Sequence, residues 1–529
     1  MSALLGDLAA VLRERGLLRS IVPAATPSDV HPAGVPVVEP SIRSVSLDSR
    51  TVEPGALFAA APGELADGHA YLPDAVEHGA VAVLVETPVT SLGVPQLVVA
   101  ATRPATAIAA AWVAGFPSRH LGVVGVTGTD GKTTASYLIR AVLEAAGRPT
   151  GMAGTVDVIV GGRSLGNDAR TTTPEAPALQ SALARMLEAG DGWAIIEASS
   201  HGLAQDRVAE IAWDVAVLTN VTEEHLEFHR SIEAYQAAKQ RLFEALAISP
   251  ANPDKGFGKT AVVNLDDPAS PAFADAARTA GARVIGYGRA ATAMIRLVDV
   301  NQAAERLHVE VGTPRWQGRL ALRLPGRFNA HNALAAVGVG EALGLDPTVV
   351  RTALEGVAGV PGRMERIEAG QPFGVVVDYA HTADALAKVL DELAPVAAAG
   401  GGSLIAVFGS AGDRDRVKRP AMGRVAAERC RFVVVTDEDP RSEDRMAVIE
   451  AIAAGAEAAG MQRGHDLHLV PDRAAAIRRA FAEARPADVV LLAGKGHEKT
   501  IETADGEIAW DEAREAREAL RDAGWGAAG

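Results

Sequence analysis

The sequence is poor in cysteine, in aromatic residues and in long apolar runs. Cys430 is the single cysteine among 529 residues, so no disulfide can form within the chain and a reducing compartment is indicated. Aromatic residues make up 4% of the chain, which leaves Ala, Val and Leu to fill the cores. No apolar run reaches the ~18 residues of a membrane span, and the start of the chain lacks a basic-then-apolar signal pattern. These absences predict a cytoplasmic protein without membrane contact.

Positively charged residues are also fewer than negatively charged ones. The chain has 51 Lys and Arg against 66 Asp and Glu, a formal net charge of −15. This balance argues against binding to nucleic acid or to a membrane surface. Any anionic substrate must therefore be bound by locally placed Lys and Arg side chains. The apolar and charged fractions are those of a globular protein, and the length predicts about two to four domains.

Residues 121–140, LGVVGVTGTDGKTTASYLIR, predict a phosphate-binding loop. A β-branched apolar run ends in a glycine-rich turn, and a helical pattern starts at Lys132. The backbone N–H groups of such a loop converge, and the helix dipole adds partial positive charge. We expect Lys132 to reach the β- and γ-phosphates and Thr133 to bind Mg²⁺. The strict G-x-x-x-x-G-K-[ST] pattern is not met, because Val126 stands at the first glycine position. An ordinary strand-to-helix turn with a solvent-facing lysine is the alternative.

Alternating strand and helix patterns predict an α/β fold with three domains. These are a smaller N-terminal α/β domain (residues 1–118), a central P-loop ATPase domain with a parallel sheet (119–356), and a Rossmann-like C-terminal α/β domain (357–529). Ligands are expected at the carboxyl ends of the parallel strands. Residues 1–20 are predicted to form an amphipathic helix, residues 23–40 a proline-rich loop, and residues 356–363 a hinge.

Two further apolar runs end in polar residues. Glu197 closes AIIE, and His225 follows VAVLTNVTEE. If both strand ends lie beside the phosphate loop, a carboxylate and an imidazole could complete a Mg²⁺ site. A solvent-facing Glu197 and a structural His225 are the alternatives. Lys239, taken alone, is interpreted as lying on a solvated helix face.

Twelve motifs, in this order, resemble those of the Mur ligase family across nearly the whole chain. They are GVTGTDGKTT, TTTPEA, EASSHGLAQDR, LTNVTEEH, AAKQRLF, NLDDP, PGRFNAHNALAA, GRMERI, VDYAHTADAL, GSAGDRDRVKRP, DPRSED and GKGHE. DSR (48–50), SSHGL and GDRDxxKRP point to the members that handle a diamino acid. The resemblance implies an ATP-dependent ligase of peptidoglycan synthesis. Such an enzyme joins a free diamino acid to the D-glutamyl γ-carboxylate of UDP-N-acetylmuramoyl-L-Ala-D-Glu through an acyl phosphate.

The resemblance also implies roles for individual residues. For ATP they are Gly128, Thr129, Gly131, Lys132, Thr133, Thr134, Asn264, Arg363 and Asp378. For the UDP-linked substrate they are Ser49, Thr172, Thr173, Ser199, Gln205 and Arg207. For the incoming amino acid they are Arg414, Asp439, Arg441, Gly494 and Glu498. The implied catalytic residues are Lys132, Glu197, His225 and Lys239, and the implied Mg²⁺ ligands are Thr133, Glu197, His225 and Lys239. Lys239 is implied to carry a CO₂-derived carbamate, which turns a cation into an anionic oxygen ligand.

The chain departs from the family pattern at the amino-acid motif. DNPR is the form associated with meso-diaminopimelate, whereas this chain has DEDPR. Arg441 could clamp a distal carboxylate, but Asp439 adds an acceptor that favours a distal ammonium. Meso-diaminopimelate, L-lysine and L-ornithine therefore all stay open. Asp130 also replaces the usual Asn in the phosphate loop, and Glu224 and Glu227 flank His225 where Asp is common.

Two other functions are weighed against this one. A folylpolyglutamate synthetase would share the phosphate loop but would not need the long first domain. A non-catalytic relative would bind nucleotide or precursor as a sensor, and the intact Lys132, Glu197, His225 and Lys239 argue against it. The resemblance implies a monomer.

Overall fold

The computed structural model describes residues 4–24, 39–63, 66–167, 171–248, 258–303 and 306–526. Most of the predicted proline-rich loop, residues 25–38, lies outside these ranges. The chain divides into two compact units. The first comprises Met1–Met294 and Ala335–Asp346, and the second comprises Ile295–Leu334 and Pro347–Gly529. Within the described ranges, no helix combines the length and the apolar character needed to cross a lipid bilayer.

The first unit begins with a five-stranded sheet in the order β1-β5-β4-β3-β2. Its elements are α1 (Leu5–Glu14), β1 (Leu18–Val22), β2 (Ser44–Ser46), β3 (Ala56–Ala59), α2 (Leu72–Glu77), β4 (Ala82–Val85), β5 (Gln96–Val99) and α3 (Thr102–Val113). Strands β2 to β5 are parallel, and β1 is antiparallel to β5. The predicted helix over residues 1–20 is too long, because Leu18–Val22 pairs with β5 along the sheet edge.

The same unit contains a second sheet, which carries the phosphate loop. Its elements are β6 (Gly122–Thr127), α4 (Lys132–Ala145), β7 (Thr150–Ala153), β8 (Val158–Val160), β9 (Arg163–Ser164), α5 (Ala176–Glu188), β10 (Trp193–Glu197), α6 (Ser200–Ala204), β11 (Val215–Leu218), α7 (Leu226–His229), α8 (Ile232–Ile248), β12 (Thr260–Asn264), α9 (Ser270–Thr279) and β13 (Arg283–Gly288). The order is β13-β12-β11-β6-β10-β7-β8-β9. The six strands from β13 to β7 are parallel.

This topology places three strand ends side by side. Strand β6 lies between β10 and β11, with Glu197 paired to Val126 and Leu218 paired to Thr127. Because the strands are parallel, the loops after them open on one edge of the sheet. All six residues of β6 and all five of β10 are buried, as expected for central strands covered on both faces.

The second unit begins with an antiparallel meander of β14 (Ile295–Gln302), β15 (Leu307–Gly312) and β16 (Gln317–Leu322). These strands were not predicted, because only alternating strand and helix patterns were assigned to this region. Helices α10 (Asn329–Ala342), which extends into the first unit, and α11 (Pro347–Gly356) follow.

The rest of the second unit is a six-stranded sheet with helices, in the order β17-β18-β22-β19-β20-β21. Its elements are β17 (Glu365–Arg366), β18 (Gly374–Asp378), α12 (Ala383–Ala399), β19 (Leu404–Phe408), α13 (Lys418–Ala427), β20 (Phe432–Val435), α14 (Arg445–Ala458), β21 (Leu467–Leu469), α15 (Arg473–Glu483), β22 (Val489–Ala493), β23 (Thr500–Thr503), β24 (Gly506–Ala509) and α16 (Glu512–Asp522). Strand β17 is antiparallel to β18, and β18 to β21 are joined in parallel through β22 and β19. The predicted Rossmann-like alternation is present here.

Candidate active site

The predicted phosphate loop joins β6 to α4. Gly128 has φ +150°, and a Cβ there would overlap the hydroxyl of Thr219, so this position requires glycine. Gly131 has φ +82° and is the N-cap residue of α4. Asn220 holds the loop from β11, since its carbonyl accepts from Thr129 N (2.8 Å) and its side-chain oxygen accepts from Asp130 N (2.9 Å). The predicted Thr133 and Thr134 lie in the first turn of the helix.

Two lysines converge on one backbone oxygen of this loop. Lys132 Nζ donates to Gly128 O at 2.9 Å and to Thr129 O at 2.8 Å. Lys239 Nζ, from helix α8, donates to the same Gly128 O at 2.6 Å. The prediction that Lys239 lies on a solvated helix face is wrong, because its side chain is 1% exposed. The face of α8 that carries it packs against the loop.

Burial changes the chemistry of Lys239. Desolvation, and next the positive charge of Lys132, lower its pKa well below the usual range for a lysine. Its ammonium lies 4.3 Å from the ring centroid of Tyr235. In this setting the neutral amine is favoured, and a neutral amine is a nucleophile.

Tyr235 was not singled out from the sequence, although it belongs to this centre. Its hydroxyl lies 2.9 Å from Thr129 Oγ1, which also accepts from Thr222 N at 2.9 Å. Burial raises the pKa of the Tyr235 phenol, so the hydroxyl stays protonated. Tyr235 precedes Lys239 by one helical turn, and this spacing is the signal that could have revealed the pair.

Glu197 is fully buried at the end of β10, so the solvent-facing alternative is wrong. One carboxylate oxygen accepts from Thr133 Oγ1 at 2.9 Å and Thr155 Oγ1 at 2.8 Å, and the other accepts from Thr155 N at 3.2 Å. A Cβ at Gly154 would overlap this carboxylate. Thr155 and Gly154 were missed from the sequence.

The contact between Glu197 and Thr133 joins two of the predicted Mg²⁺ ligands. Carboxylate and hydroxyl oxygens are the donors that Mg²⁺ prefers, and Thr133 occupies the position of the metal-binding hydroxyl of a phosphate loop. These residues therefore fit a Mg²⁺ ion that is also bound by nucleotide phosphates. Across the parts of the chain that the structure describes, no three or more His, Cys, Asp or Glu side chains cluster closely enough to hold a metal ion.

His225 lies at the start of α7 in the left-handed region, with φ +56°. Its side chain is half-exposed, and Nδ1 lies 3.3 Å from Glu227 Oε1. Its ring centroid is 4.7 Å from that of His201, whose pKa is lowered to about 4 by burial and by the charges of His225 and His229. The proposed Mg²⁺ contact of His225 stays a prediction.

Five of the six residues predicted to bind the UDP-linked substrate lie together beside Glu197. Thr173 Oγ1 donates to Glu197 O at 2.7 Å and lies 3.0 Å from Ser199 Oγ. Arg207 donates to Thr173 O at 2.9 Å and to Gln205 Oε1 at 2.7 Å. Thr172 Oγ1 lies 3.0 Å from Thr155 Oγ1. Ser49, the sixth residue of this set, is buried in a short 3₁₀ turn after β2.

Asn264 is buried at the end of β12. Its amide donates to Thr219 O at 2.7 Å, and its side-chain oxygen accepts from Asp266 N at 3.1 Å. The side chain therefore braces the loops around the phosphate site. Its predicted adenine contact stays a prediction.

In the second unit, Arg363 and Asp378 lie near Tyr379. The Arg363 guanidinium stacks 4.8 Å from the Tyr379 ring centroid. Asp378 accepts from Met364 N and Ala380 N, both at 2.8 Å. Burial raises the pKa of this carboxyl despite the nearby charge of Arg363. Their predicted contacts with ATP are not tested by this geometry.

The predicted amino-acid residues of the second unit form an ionic network. Lys495 is buried and donates to Asp439 Oδ1 at 2.8 Å and to Glu498 Oε2 at 2.5 Å. Arg441 Nε donates to Glu502 Oε2 at 2.8 Å. Asp439 also accepts from Glu502 N at 2.8 Å. Lys495 and Glu502 N thus share Oδ1 of Asp439, and the predicted contact of Asp439 with a substrate ammonium stays a prediction. Glu502 was missed, and Lys495 was not singled out although it lies in the GKGHE motif.

Sequence comparison decides the family. Profiles described as "Mur ligase family, catalytic domain", "Mur ligase middle domain" and "Mur ligase, glutamate ligase domain" match residues 41–121, 126–340 and 362–496. The chain is 51% identical, over 94% of its length and 98% of the relative's, to a UDP-N-acetylmuramyl-tripeptide synthetase from Roseiflexus sp.. The chain belongs to the Mur ligase family. Mur ligases are ATP-dependent enzymes that form amide bonds and use Mg²⁺.

Two other similarities agree with this assignment. The chain is 41% identical, over 94% of its length and 97% of the relative's, to UDP-N-acetylmuramoyl-L-alanyl-D-glutamate--2,6-diaminopimelate ligase from Solibacter usitatus. A solved structure of an enzyme with that name has 30% identity and a TM-score of 0.63, covering 95% of this chain and 99% of the other. The predicted fold class, α/β with the three-domain Mur ligase architecture, is confirmed.

Proposed function

We propose that this Mur ligase joins a diamino acid to the D-glutamyl γ-carboxylate of UDP-N-acetylmuramoyl-L-Ala-D-Glu, with cleavage of ATP. The names of its relatives support the substrate class. The observation that carries the proposal is the convergence of Lys132 and Lys239 on Gly128 O, beside the buried carboxylate that is held by Thr133. This arrangement places a phosphate-binding cation, and a lysine of α8 in an unusual ionisation state, against the same loop.

The three domains are assigned separate tasks in this proposal. Residues 1–118 bind the uridine end of the UDP-linked substrate, residues 119–356 bind ATP, and residues 357–529 bind the amino acid. Asn264, Arg363 and Asp378 are assigned to the nucleotide. The enzyme is proposed to act in the cytoplasm as a monomer, without a membrane or nucleic-acid partner.

The first chemical step activates a carboxylate. A carboxylate is a poor acyl donor, because an oxide would have to leave. Transfer of the γ-phosphoryl group of ATP to the D-glutamyl γ-carboxylate gives an acyl phosphate and ADP. Lys132 and the N–H groups of the loop from Gly128 to Thr133 offset the repulsion between the carboxylate and the triphosphate. When bound, Mg²⁺ neutralises phosphate charge, and Thr133, Glu197 and His225 are the residues proposed to hold it.

Lys239 is proposed to act as a carbamate. Its neutral amine attacks CO₂, an N–C bond forms and a proton leaves, which places an anionic oxygen group on a buried side chain. The low pKa of Lys239 favours this reaction, since the ammonium form has no lone pair to donate. The product would supply an oxygen ligand for a second Mg²⁺ ion near the phosphate loop.

The second chemical step forms the amide. The amine of the incoming amino acid attacks the carbonyl carbon of the acyl phosphate, and a tetrahedral intermediate forms and then releases phosphate. Thr173, Ser199 and Arg207 lie beside Glu197 and are assigned to hold the dipeptide part of the acceptor, so that its γ-carboxylate meets ATP at the loop. Water must be excluded, because acyl phosphates hydrolyse readily.

Phosphate release tests the proposal. Purified protein with Mg²⁺-ATP and UDP-N-acetylmuramoyl-L-Ala-D-Glu should release phosphate when a diamino acid is added and should yield the UDP-linked tripeptide by mass spectrometry. A pteroyl-glutamate acceptor with free glutamate should give none, which separates this function from folylpolyglutamate synthesis. Lys132→Met should reduce kcat about 10²- to 10³-fold, as expected for loss of a group that stabilises transition-state charge. No phosphate release with any diamino acid would refute the proposal.

A further inference from the structure

Helix α6 ends in a turn that carries two of the residues assigned to the UDP-linked substrate. Gln205 is the C-cap residue of the helix, and Arg207 follows two positions later. Arg207 N donates to Gly202 O at 2.9 Å. Asp206 N donates to Leu203 O at 3.4 Å. These two bonds form a Schellman motif, in which the residue after the C-cap adopts the left-handed conformation. The direction of the chain at this turn therefore depends on the backbone of one residue.

Asp206 occupies that left-handed position, with φ +57°. Glycine is usual there, because a Cβ makes the conformation costly. Aspartate is accepted at such positions when its short side chain makes a polar contact. A residue with a side chain stays in this conformation only where the structure around it compensates the cost. The turn thus needs a partner for the Asp206 carboxylate.

Arg241 of α8 supplies this partner. Its Nη2 pairs with the Asp206 carboxylate, and its Nη1 donates to Leu203 O at 2.5 Å. A guanidinium presents several donors in a fixed planar geometry, so it can bind a carboxylate and a carbonyl at once. Arginine side chains near the end of a helix commonly bind its last carbonyls. The single side chain of Arg241 therefore holds both the end of α6 and the left-handed residue that follows it.

The two assigned side chains of the turn are fixed relative to each other. Arg207 donates from Nε and Nη2 to Gln205 Oε1, at 3.1 and 2.7 Å. The Arg207 guanidinium also lies 2.9 Å from Glu175 Oε1, at the start of α5, and donates to Thr173 O at 2.9 Å. Gln205 and Arg207 directly flank Asp206. A change of φ at Asp206 would therefore break these contacts and turn both side chains away from their positions.

We propose that Arg241 is a positioning residue for the UDP-linked acceptor. By holding Asp206 in the left-handed conformation, it orients Gln205 and Arg207 for the acceptor without contacting the substrate itself. This inference rests on the proposed ligase function and deepens it. Arg241 lies two positions after Lys239 on α8, so one helix sets the place of both the proposed carbamate and the acceptor turn.

The test compares the UDP-linked acceptor with ATP in the phosphate-release assay. Arg241→Met keeps an unbranched side chain and removes the cation. It should raise KM for UDP-N-acetylmuramoyl-L-Ala-D-Glu about tenfold, the effect of one charge-assisted hydrogen bond. KM for ATP should stay as in the native chain. Calorimetric titration with the UDP-linked acceptor alone should show the same loss of affinity, and the melting temperature should not change.

The Asp206→Gly substitution separates positioning from direct contact. Glycine adopts the left-handed conformation without a side-chain partner. The double variant Arg241→Met, Asp206→Gly should therefore bind the acceptor nearly as tightly as the native chain. Asp206→Ala keeps the backbone cost and loses the carboxylate, so it should weaken acceptor binding as much as Arg241→Met does. If Arg241→Met does not fold, the contrast between Asp206→Ala and Asp206→Gly decides.

Arg278→Met is the matched control, because Arg278 forms an exposed pair with Asp275 on α9 at 2.7 Å. It should leave KM for the acceptor as in the native chain. An Arg241→Met variant that matches Arg278→Met would overturn the inference and leave the ligase function standing. So would a double variant as weak as Arg241→Met, which would indicate direct contact with the substrate, or an equal loss for the acceptor and ATP, which would indicate a general structural role. If the native chain releases no phosphate with any diamino acid, the ligase function itself fails.

Discussion

Lys132 and Lys239 donate hydrogen bonds to the same acceptor, the carbonyl oxygen of Gly128, although they lie 4 and 111 residues after it in the chain. Two ammonium groups that share one acceptor repel each other, and the more deeply buried group loses more by staying charged. Lys239 is that group, so the positive charge resides on Lys132. The two lysines are therefore assigned different roles. Lys132 binds phosphate as a cation, and Lys239 reacts with CO₂ as a neutral amine.

The proposed carbamate is tested by chemical rescue. Lys239→Ala should lose phosphate release by a factor of about 10² or more, because an oxygen ligand for Mg²⁺ is lost. A short carboxylic acid such as acetate should restore part of the rate by occupying the vacated space with an anionic oxygen group. Lys388→Ala, at a half-exposed lysine of α12, is the control and should need no rescue. Full activity of untreated Lys239→Ala would exclude the carbamate role.

The low pKa of Lys239 also predicts a pH-dependent stability. The unfolded chain binds this proton more tightly than the folded chain, so folding is penalised as the pH falls below the unfolded value of about 10.5. Lys239→Met removes the penalty. At pH 7, in CO₂-depleted buffer, it should raise the free energy of unfolding relative to the native chain.

That gain should shrink as the pH is raised and should vanish only above about 10.5, where Lys239 is neutral in both states. Calorimetric melting of both proteins between pH 7 and pH 10 measures the difference. If the stabilisation is constant over this range, it does not come from the lowered pKa of Lys239, and packing alone explains the effect of Lys239→Met.

Glu197 is expected to govern the Mg²⁺ requirement. Glu197→Gln keeps one acceptor for the hydroxyls of Thr133 and Thr155 but removes the negative charge. The Mg²⁺ concentration for half-maximal phosphate release should rise about tenfold or more, since a neutral amide is a weaker ligand for a hard cation. Glu188→Gln, at an exposed glutamate of α5, is the control. An unchanged Mg²⁺ dependence would remove Glu197 from the metal site.

The second unit depends on a buried ion pair for its stability. Arg473 and Glu512 join α15 to α16, and both side chains are 0% exposed. Arg473 also donates to Asp437 O and Ala493 O, and Trp510 Nε1 donates to Glu512. Arg473→Ala should lower the free energy of unfolding by about 3–5 kcal/mol, because it leaves a buried carboxylate without its cation.

The exposed pair Arg478–Asp522 links the same two helices at 2.9 Å. Arg478→Ala should cost no more than about 1 kcal/mol, because water replaces the lost partner. Urea unfolding of the three proteins measures the contrast. Equal losses for the two variants would show that the buried pair is no more important than the surface pair.

The phosphate loop was predictable from sequence because its signal is local. An apolar strand, glycines at positions with positive φ and a helix start all fall within about twenty residues, and Gly128 and Gly131 are where the backbone needs them. The meander β14–β16 was missed, since only parallel strands alternating with helices were assigned to that region. The sequence left open whether Glu197 is buried or faces solvent. It is buried because β10 lies beside β6 within the sheet.

By itself, the sequence determined the α/β class, the order of the motifs and hence the Mur ligase family, because these depend on residues near one another in the chain. Tertiary structure alone decided the ionisation and the pairing of the charged side chains. Lys239 and Gly128 are 111 residues apart in the chain and are joined by a hydrogen bond, and so are Lys495 and Asp439, which are 56 residues apart. Ionisation and pairing depend on burial and on distances of a few ångströms, and no local pattern encodes contacts that folding brings together from such separations.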